Sequence, residues 1–237
     1  MIRFIRLFHA HVLLLVGSAI GLLLVIFFPR QKNSMWLASL FFKTKFFELV
    51  SGIRFEIDGM ENFAKADPAI IVSNHQSNID AAFMAKLFRK GTVVIGKKEL
   101  NWIPIFGQLF YLAGNIAIDR ANRTKSVNSL NDVALAIKQK SLSIWIMPEG
   151  TRGKGPHTGL KQFKKGAFYT AINAKVPIIP VCANNFITDS NWNSLWRPVN
   201  IKIRVLEPVA TEGMNNSDAG QLLEDCFKKM QQIINTF

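Results

Sequence analysis

Pro68-Ala69-Ile70-Ile71-Val72-Ser73-Asn74-His75-Gln76-Ser77-Asn78-Ile79-Asp80-Ala81-Ala82-Phe83-Met84-Ala85-Lys86-Leu87-Phe88 decides the fold. Its apolar run, Ala69 to Val72, reads as a buried strand, and its last nine residues read as a helix, with a short polar turn between them. In α/β folds, ligands and chemistry collect beyond the carboxyl ends of strands. A histidine in that turn, with a carboxylate five residues on at a helix start, has the makings of a base and its orienter. Imidazole takes a proton near neutral pH, and a carboxylate on one ring nitrogen leaves the other free to accept. The same letters also read as a helix cap, Ser77-x-x-Asp80, beside an ordinary turn histidine. The stretch alone does not choose between the two.

Outward from it, strands and helices alternate. Arg54 to Gly59 reads as a short strand, and Thr92 to Gly96, Asn115 to Asp119 and Ser143 to Met147 follow as buried strands. Val127, Leu130, Ala134 and Ile137 fall at helical spacing. A helix over about 163–174 leads to a strand at Val176 to Val181, and Asn200 to Leu206 alternates as a strand. Leu222, Leu223, Cys226, Phe227, Met230, Ile233 and Ile234 mark a terminal amphipathic helix. The expected fold is α/β, a mixed and largely parallel sheet flanked by helices. At 237 residues the chain suits one such domain, over 51–237, plus a small appendage.

That appendage is apolar. Val12 to Phe28 carries no charge and spans roughly 25 Å as a helix, slightly short of a hydrocarbon core. Arg3 and Arg6 flank one end, Arg30 and Lys32 the other. No small-residue cleavage site follows, which argues against a removed signal peptide. A second segment, Ser34 to Val50, is apolar around nearly its whole circumference. Residues 1–50 are therefore expected to form a two-helix, membrane-embedded motif broken near Pro29.

Composition narrows the partners. The formal net charge is +13 and the pI about 10.0, which suits nucleic acid, an anionic membrane or anionic small molecules. No nucleic-acid-binding module is present. Cys182 and Cys226 lie far apart in apolar segments and read as buried free thiols. No Cys/His group has zinc spacing, and His9-x-His11 lacks a third ligand nearby. Neither Ser73 nor Ser77 sits in a Gly-x-Ser-x-Gly elbow.

Polar residues crowd three further strand ends: Gly114 to Arg120, Pro148 to Arg152 and the proline-spaced Val176 to Val181. In Glu149-Gly150-Thr151-Arg152, a glycine opens backbone N–H groups to an anion, a hydroxyl donates, and arginine offers its planar fork. These stretches together resemble the lysophospholipid acyltransferase family. Asn74, His75 and Asp80 match its Asn-His-x-x-x-x-Asp motif, and Gly114, Ile116, Ile118, Asp119 and Arg120 its second. Pro148 to Arg152 match its third, with Met147 in place of phenylalanine, and Val176 to Val181 its fourth. Gly96 to Leu100 and Phe163 to Ala167 add further likeness. The four motifs stand in family order, and the resemblance covers about residues 54–185 strongly.

The resemblance is greatest to bacterial members that acylate 1-acylglycerol 3-phosphate. It implies an enzyme that moves a fatty acyl group from acyl-CoA or acyl-carrier protein to the 2-hydroxyl of lysophosphatidic acid, giving phosphatidic acid. His75 would be the general base and Asp80 its orienter. Lys97, Arg120, Glu149, Gly150, Thr151 and Arg152 would bind substrate, with Glu149 holding an arginine or meeting glycerol. Backbone or Asn74 donors would face the oxyanion. The implied partners are membrane lipid, an acyl thioester and an anionic bilayer surface, with no cofactor, metal or nucleic acid. The implied place is a bacterial inner membrane, catalytic domain on the cytoplasmic side. The alternatives are the same chemistry on another lysophospholipid or on glycerol 3-phosphate, and a non-catalytic protein that binds anionic lipid.

Overall fold

The computed structural model describes residues 1–119, 123–152 and 159–237, with the side chains of 123–131 outside the description. The chain opens with α1 (Ile2–Val25), α2 (Ser34–Ala38), α3 (Leu40–Lys43) and α4 (Lys45–Ser51), followed by β1 (Ile53–Asp58). Then come β2 (Ile70–Ser73), α5 (Asp80–Leu87), β3 (Thr92–Lys97), α6 (Phe106–Leu112) and β4 (Ile116–Ile118). The rest is α7 (Arg123–Lys140), β5 (Ser143–Ile146), α8 (Gly166–Ala174), β6 (Ile178–Ala183), β7 (Val199–Val205) and α9 (Ala219–Ile234), with short 3-10 turns between.

Among the described residues the strands form one seven-stranded sheet in the order β1-β7-β6-β2-β5-β3-β4. Strands β6, β2, β5, β3 and β4 are mutually parallel, so their carboxyl ends share one edge. β1 and β7 are parallel to each other, and β7 is antiparallel to β6. Those two strands therefore start at the edge where the other five finish. The expected mixed, largely parallel α/β sheet is what the chain forms. Every residue of β2, β5 and β6 is buried, because helices cover both faces, as parallel sheets require.

On one face Phe47, Phe63, Phe83, Trp145, Phe186 and Trp192 build a core that also takes in Ala10 of α1 and Phe42 of α3. On the other, α8 and α9 pack Phe168, Ala171, Leu222, Cys226 and Met230 onto Ile70, Ile144 and Ile178. Both cysteines are free and buried, as expected. Burial pushes each thiol up to about 12.

The amino-terminal segment departs from its expected outline in two ways. The first helix begins at Ile2, ten residues before the charge-free run, and takes in Arg3 and Arg6. It is long and apolar enough to cross a membrane. Yet it lies against the rest of the chain: Gly21 approaches the Ala38 backbone so closely that a Cβ there would sit 2.8 Å from its carbonyl oxygen. The second expected helix, Ser34 to Val50, is instead three short ones. Ser39 and Thr44 turn their hydroxyls onto the Trp36 and Phe41 carbonyls, both at 2.7 Å. Such bonds compete with a continuous helix, and Thr44 then caps α4 through the Phe47 N–H. Because Ala10, Phe42 and Phe47 belong to the main core, packing continues across residue 50.

Candidate active site

The turn after β2 places His75 beyond the strand and Asp80 in the first turn of α5. Their side chains meet, with Nδ1 2.6 Å from Oδ2. The same Oδ2 accepts the Gln76 N–H at 2.7 Å and the Ser77 N–H at 3.1 Å. Burial pushes the Asp80 carboxyl up, and the bonds from His75, Gln76 and Ser77 oppose that push. With an accepting oxygen on Nδ1, the neutral ring carries its proton there and leaves Nε2 as the acceptor. The His75 side chain is 22% exposed and Asp80 1%, so the imidazole reaches solvent while the carboxylate that holds it does not. The Ser77 cap read in the sequence is only half made: α5 has no side-chain cap bond at its N-cap Ile79, while one Asp80 oxygen binds the Gln76 and Ser77 amides together with the imidazole.

Asn74 has a structural duty. Its Nδ2 donates to the Ala183 carbonyl and its Oδ1 accepts the Ala183 N–H, each at 2.9 Å. Gln76 Nε2 donates to the Asn184 carbonyl at 2.7 Å. These bonds stitch the catalytic turn to the end of β6. Of the two expected oxyanion donors, backbone or Asn74, they leave Asn74 the less free, since Oδ1 and one N–H of its buried amide are engaged by Ala183. Ser73 is buried and accepts from the Trp145 indole N–H at 2.9 Å; Ser77 Oγ accepts the Ile79 N–H at 3.0 Å. Neither is presented as a nucleophile.

The Pro148 to Arg152 turn follows β5, the strand beside β2. Gly150 sits at φ 71°, a conformation that favours glycine. Glu149 is 6% exposed. Its Oε1 accepts the His75 N–H at 2.8 Å and its Oε2 the Lys161 N–H at 3.3 Å. Of the two expected roles, holding an arginine or meeting glycerol, the described contacts show no arginine: Glu149 meets two backbone amides. Burial pushes its carboxyl up, against the pull of those two amides. Thr151 and Arg152 are exposed. Arg152 Nη1 donates to Asn78 Oδ1 at 2.6 Å, which holds its fork beside the catalytic turn. Lys97 is exposed at the end of β3 on the same edge. Arg120 lies outside the described residues; Asp119 before it pairs with Lys98 at 2.7 Å.

Two lysines join this set that motif reading gave no role. The Lys164 N–H donates to the Pro148 carbonyl at 2.9 Å, and its side chain lies over Gly150, where an added Cβ would come within 2.9 Å of Cε. Lys161 Nζ donates to the Arg152 carbonyl at 3.0 Å. The signal for Lys164 was the Phe163-Lys164-Lys165-Gly166 stretch, visible as a likeness but without a contact to give it meaning; Lys161 lies before that stretch and had no signal.

A histidine–carboxylate pair beside cations and a glycine turn on one sheet edge has the chemistry to remove a proton next to an anionic group. The Acyltransferase family profile matches residues 54–184, and the chain belongs to that family. It is 42% identical to the 1-acyl-sn-glycerol-3-phosphate acyltransferase of Salmonella typhimurium over 73% of this chain and 69% of that one. To the protein of the same description from Saccharomyces cerevisiae it is 31% identical, over 87% and 67%. The crystal structure of a 1-acyl-sn-glycerophosphate acyltransferase from Thermotoga maritima shares the fold, with a TM-score of 0.70, 20% identity and coverage of 100% and 99%.

Proposed function

We propose that this chain is a 1-acylglycerol-3-phosphate O-acyltransferase that converts lysophosphatidic acid to phosphatidic acid at the expense of an acyl thioester. The 2.6 Å His75–Asp80 pair, set among cations on the catalytic edge, carries the reading. The acceptor hydroxyl gives its proton to His75 Nε2 as its oxygen attacks the thioester carbonyl. Asp80 holds the ring and stabilises the imidazolium. Collapse of the tetrahedral intermediate forms the ester, breaks the carbon–sulfur bond and expels a thiolate, which takes the proton back from His75. No covalent acyl-enzyme is needed.

Arg152, Thr151 and the Gly150 turn hold the acceptor phosphate together with Lys97 and Arg120, while Glu149 supports the turn from beneath. The donor is an acyl thioester, acyl-CoA or acyl-carrier protein. The enzyme works on a bilayer to which α1 attaches it, and we place it at a bacterial inner membrane with its catalytic edge in the cytoplasm, where acyl thioesters are made. A matrix of acceptors and labelled acyl thioesters, run with the full chain and with Arg152→Ala, tests this. Lysophosphatidic acid should be the best acceptor, and Arg152→Ala should raise its KM about tenfold or more, the loss of a charge-assisted bond. Preference for an uncharged acceptor, or an unchanged KM in the variant, would contradict it.

A further inference from the structure

α4 and the stretch 195–198 face each other across a cleft of about 430 Å³ whose lining includes Lys45, Leu49, Arg54, Leu195, Trp196 and Arg197. Its rim is apolar and bare: Trp196 is 93% exposed and Leu49 80%. Phe46 of α4 and Phe4 and Phe8 of α1 are exposed as well. The first turns of α1 adjoin the cleft, because the Arg6 guanidinium donates to the carbonyls of Gly52, Ser194 and Arg197 at 2.9, 2.6 and 3.0 Å. Lys45, Arg54 and Arg197 are exposed cations. The acid in the lining, Glu48, is already engaged by Lys86 at 2.6 Å and Lys45 at 3.4 Å. The cleft is thus cationic within and apolar at its lip.

Its place in the fold gives this meaning. β1 and β7 start where β6 and β2 end, so Ile53, Val199 and the cleft lie on the edge that carries His75. Asn184 Nδ2, bonded to the Asn200 carbonyl at 3.1 Å, ties the two parts of that edge together. Tryptophan settles at the headgroup level of a bilayer, and clustered basic side chains draw anionic lipid. α1 itself contributes Arg6 to the cleft lining and exposes Phe4, Ile5 and Phe8 on either side of it in the chain, so a bilayer that takes up the start of α1 is brought to the cleft.

We infer that this cleft is a docking site for the anionic phospholipid bilayer. Leu49 and Trp196 enter the headgroup layer, Arg54, Arg197 and Lys45 take lipid phosphates, and the contact turns the catalytic edge toward the membrane. It is separate from the acceptor site and does not depend on which lysolipid is used.

The test uses the full chain with a fluorophore at Trp196→Cys, reconstituted in phosphatidylcholine vesicles with or without phosphatidylglycerol. Cys182 and Cys226 are buried and stay unlabelled. The reference label is at Lys228→Cys on α9, which packs on the other face of the sheet. With nitroxide-headgroup lipid, the label at 196 should be quenched several-fold more than the one at 228, and most in phosphatidylglycerol vesicles. Arg54→Glu with Arg197→Glu should bring it to the level at 228, and the milder Arg54→Gln with Arg197→Gln should give a partial loss. Equal quenching at 196 and 228 would overturn the proposal. Quenching at 196 indifferent to phosphatidylglycerol and to both charge pairs would overturn it too.

Discussion

Glu149 gives both carboxylate oxygens to backbone amides, one of them the N–H of His75. A glutamine there keeps one acceptor but turns an NH₂ group toward the other amide. One buried donor is then left unpaired, at a cost of about 1–3 kcal/mol. Glu149→Gln should lower the thermal midpoint and reduce kcat more than the acceptor KM, because it disturbs the base rather than a substrate contact. A KM effect alone would return Glu149 to the substrate. The pH dependence has a definite sign. Burial raises this carboxyl, so between the ordinary carboxylate range and the raised value the folded chain keeps a proton that the unfolded chain loses. Stability from this group is full at low pH and falls as pH rises through that window. The difference between wild type and Glu149→Gln should show that slope. Of the site, the His75–Asp80 pair was legible because its members stand five apart on one turn. The partners of Glu149, Asn74 and Gly150 were not. Asn74 meets Ala183 across 109 residues, and no local pattern encodes such a meeting. Lys164 likewise takes its place only once the segment before α8 lies along the Pro148 turn.

At the scale of elements, period and length located β2, β3, β5 and α9 well, since each has a run of apolar residues at its own spacing. The amino-terminal helices were harder. An apolar circumference says that a segment leaves water, but not where its hydrogen bonds break, and Ser39 and Thr44 decide that in 34–51. Charge also misled: Arg3 and Arg6 look like flanks of a membrane segment, yet Arg6 lies within α1, where it caps carbonyls of 191–197 and Gly52 and stacks 5.5 Å over Trp192. Arg6→Ala leaves those carbonyls without a charged donor. It should cost about 2–4 kcal/mol, in line with hydrogen bonds to a charged group of about 1.5–3 kcal/mol each, partly replaced by water. Thermal unfolding of the detergent-solubilised chain reads this, and an unchanged midpoint would show that α1 is not fastened through Arg6.

For the whole molecule, strand order matters more than any motif. The four motifs, far apart in the sequence, lie on or beside β2, β4, β5 and β6, which with β3 form a parallel run whose carboxyl ends share one edge. Alternating strands and helices made such a sheet readable, but not the order in which its strands lie. The reversed β1 and β7 add the amino-terminal helices and the cationic cleft to that edge, so the residues proposed for proton removal, phosphate binding and membrane contact share one side of the protein. Acyl transfer is proposed to run through His75 held by Asp80. It is tested most directly by the rate of transfer from a labelled acyl thioester to lysophosphatidic acid in reconstituted His75→Ala and Asp80→Asn proteins. His75→Ala should lose about 10²–10⁴ in rate, and Asp80→Asn should lose heavily as well, since its amide no longer holds the proton on Nδ1. Near wild-type transfer by either folded variant would contradict the proposal.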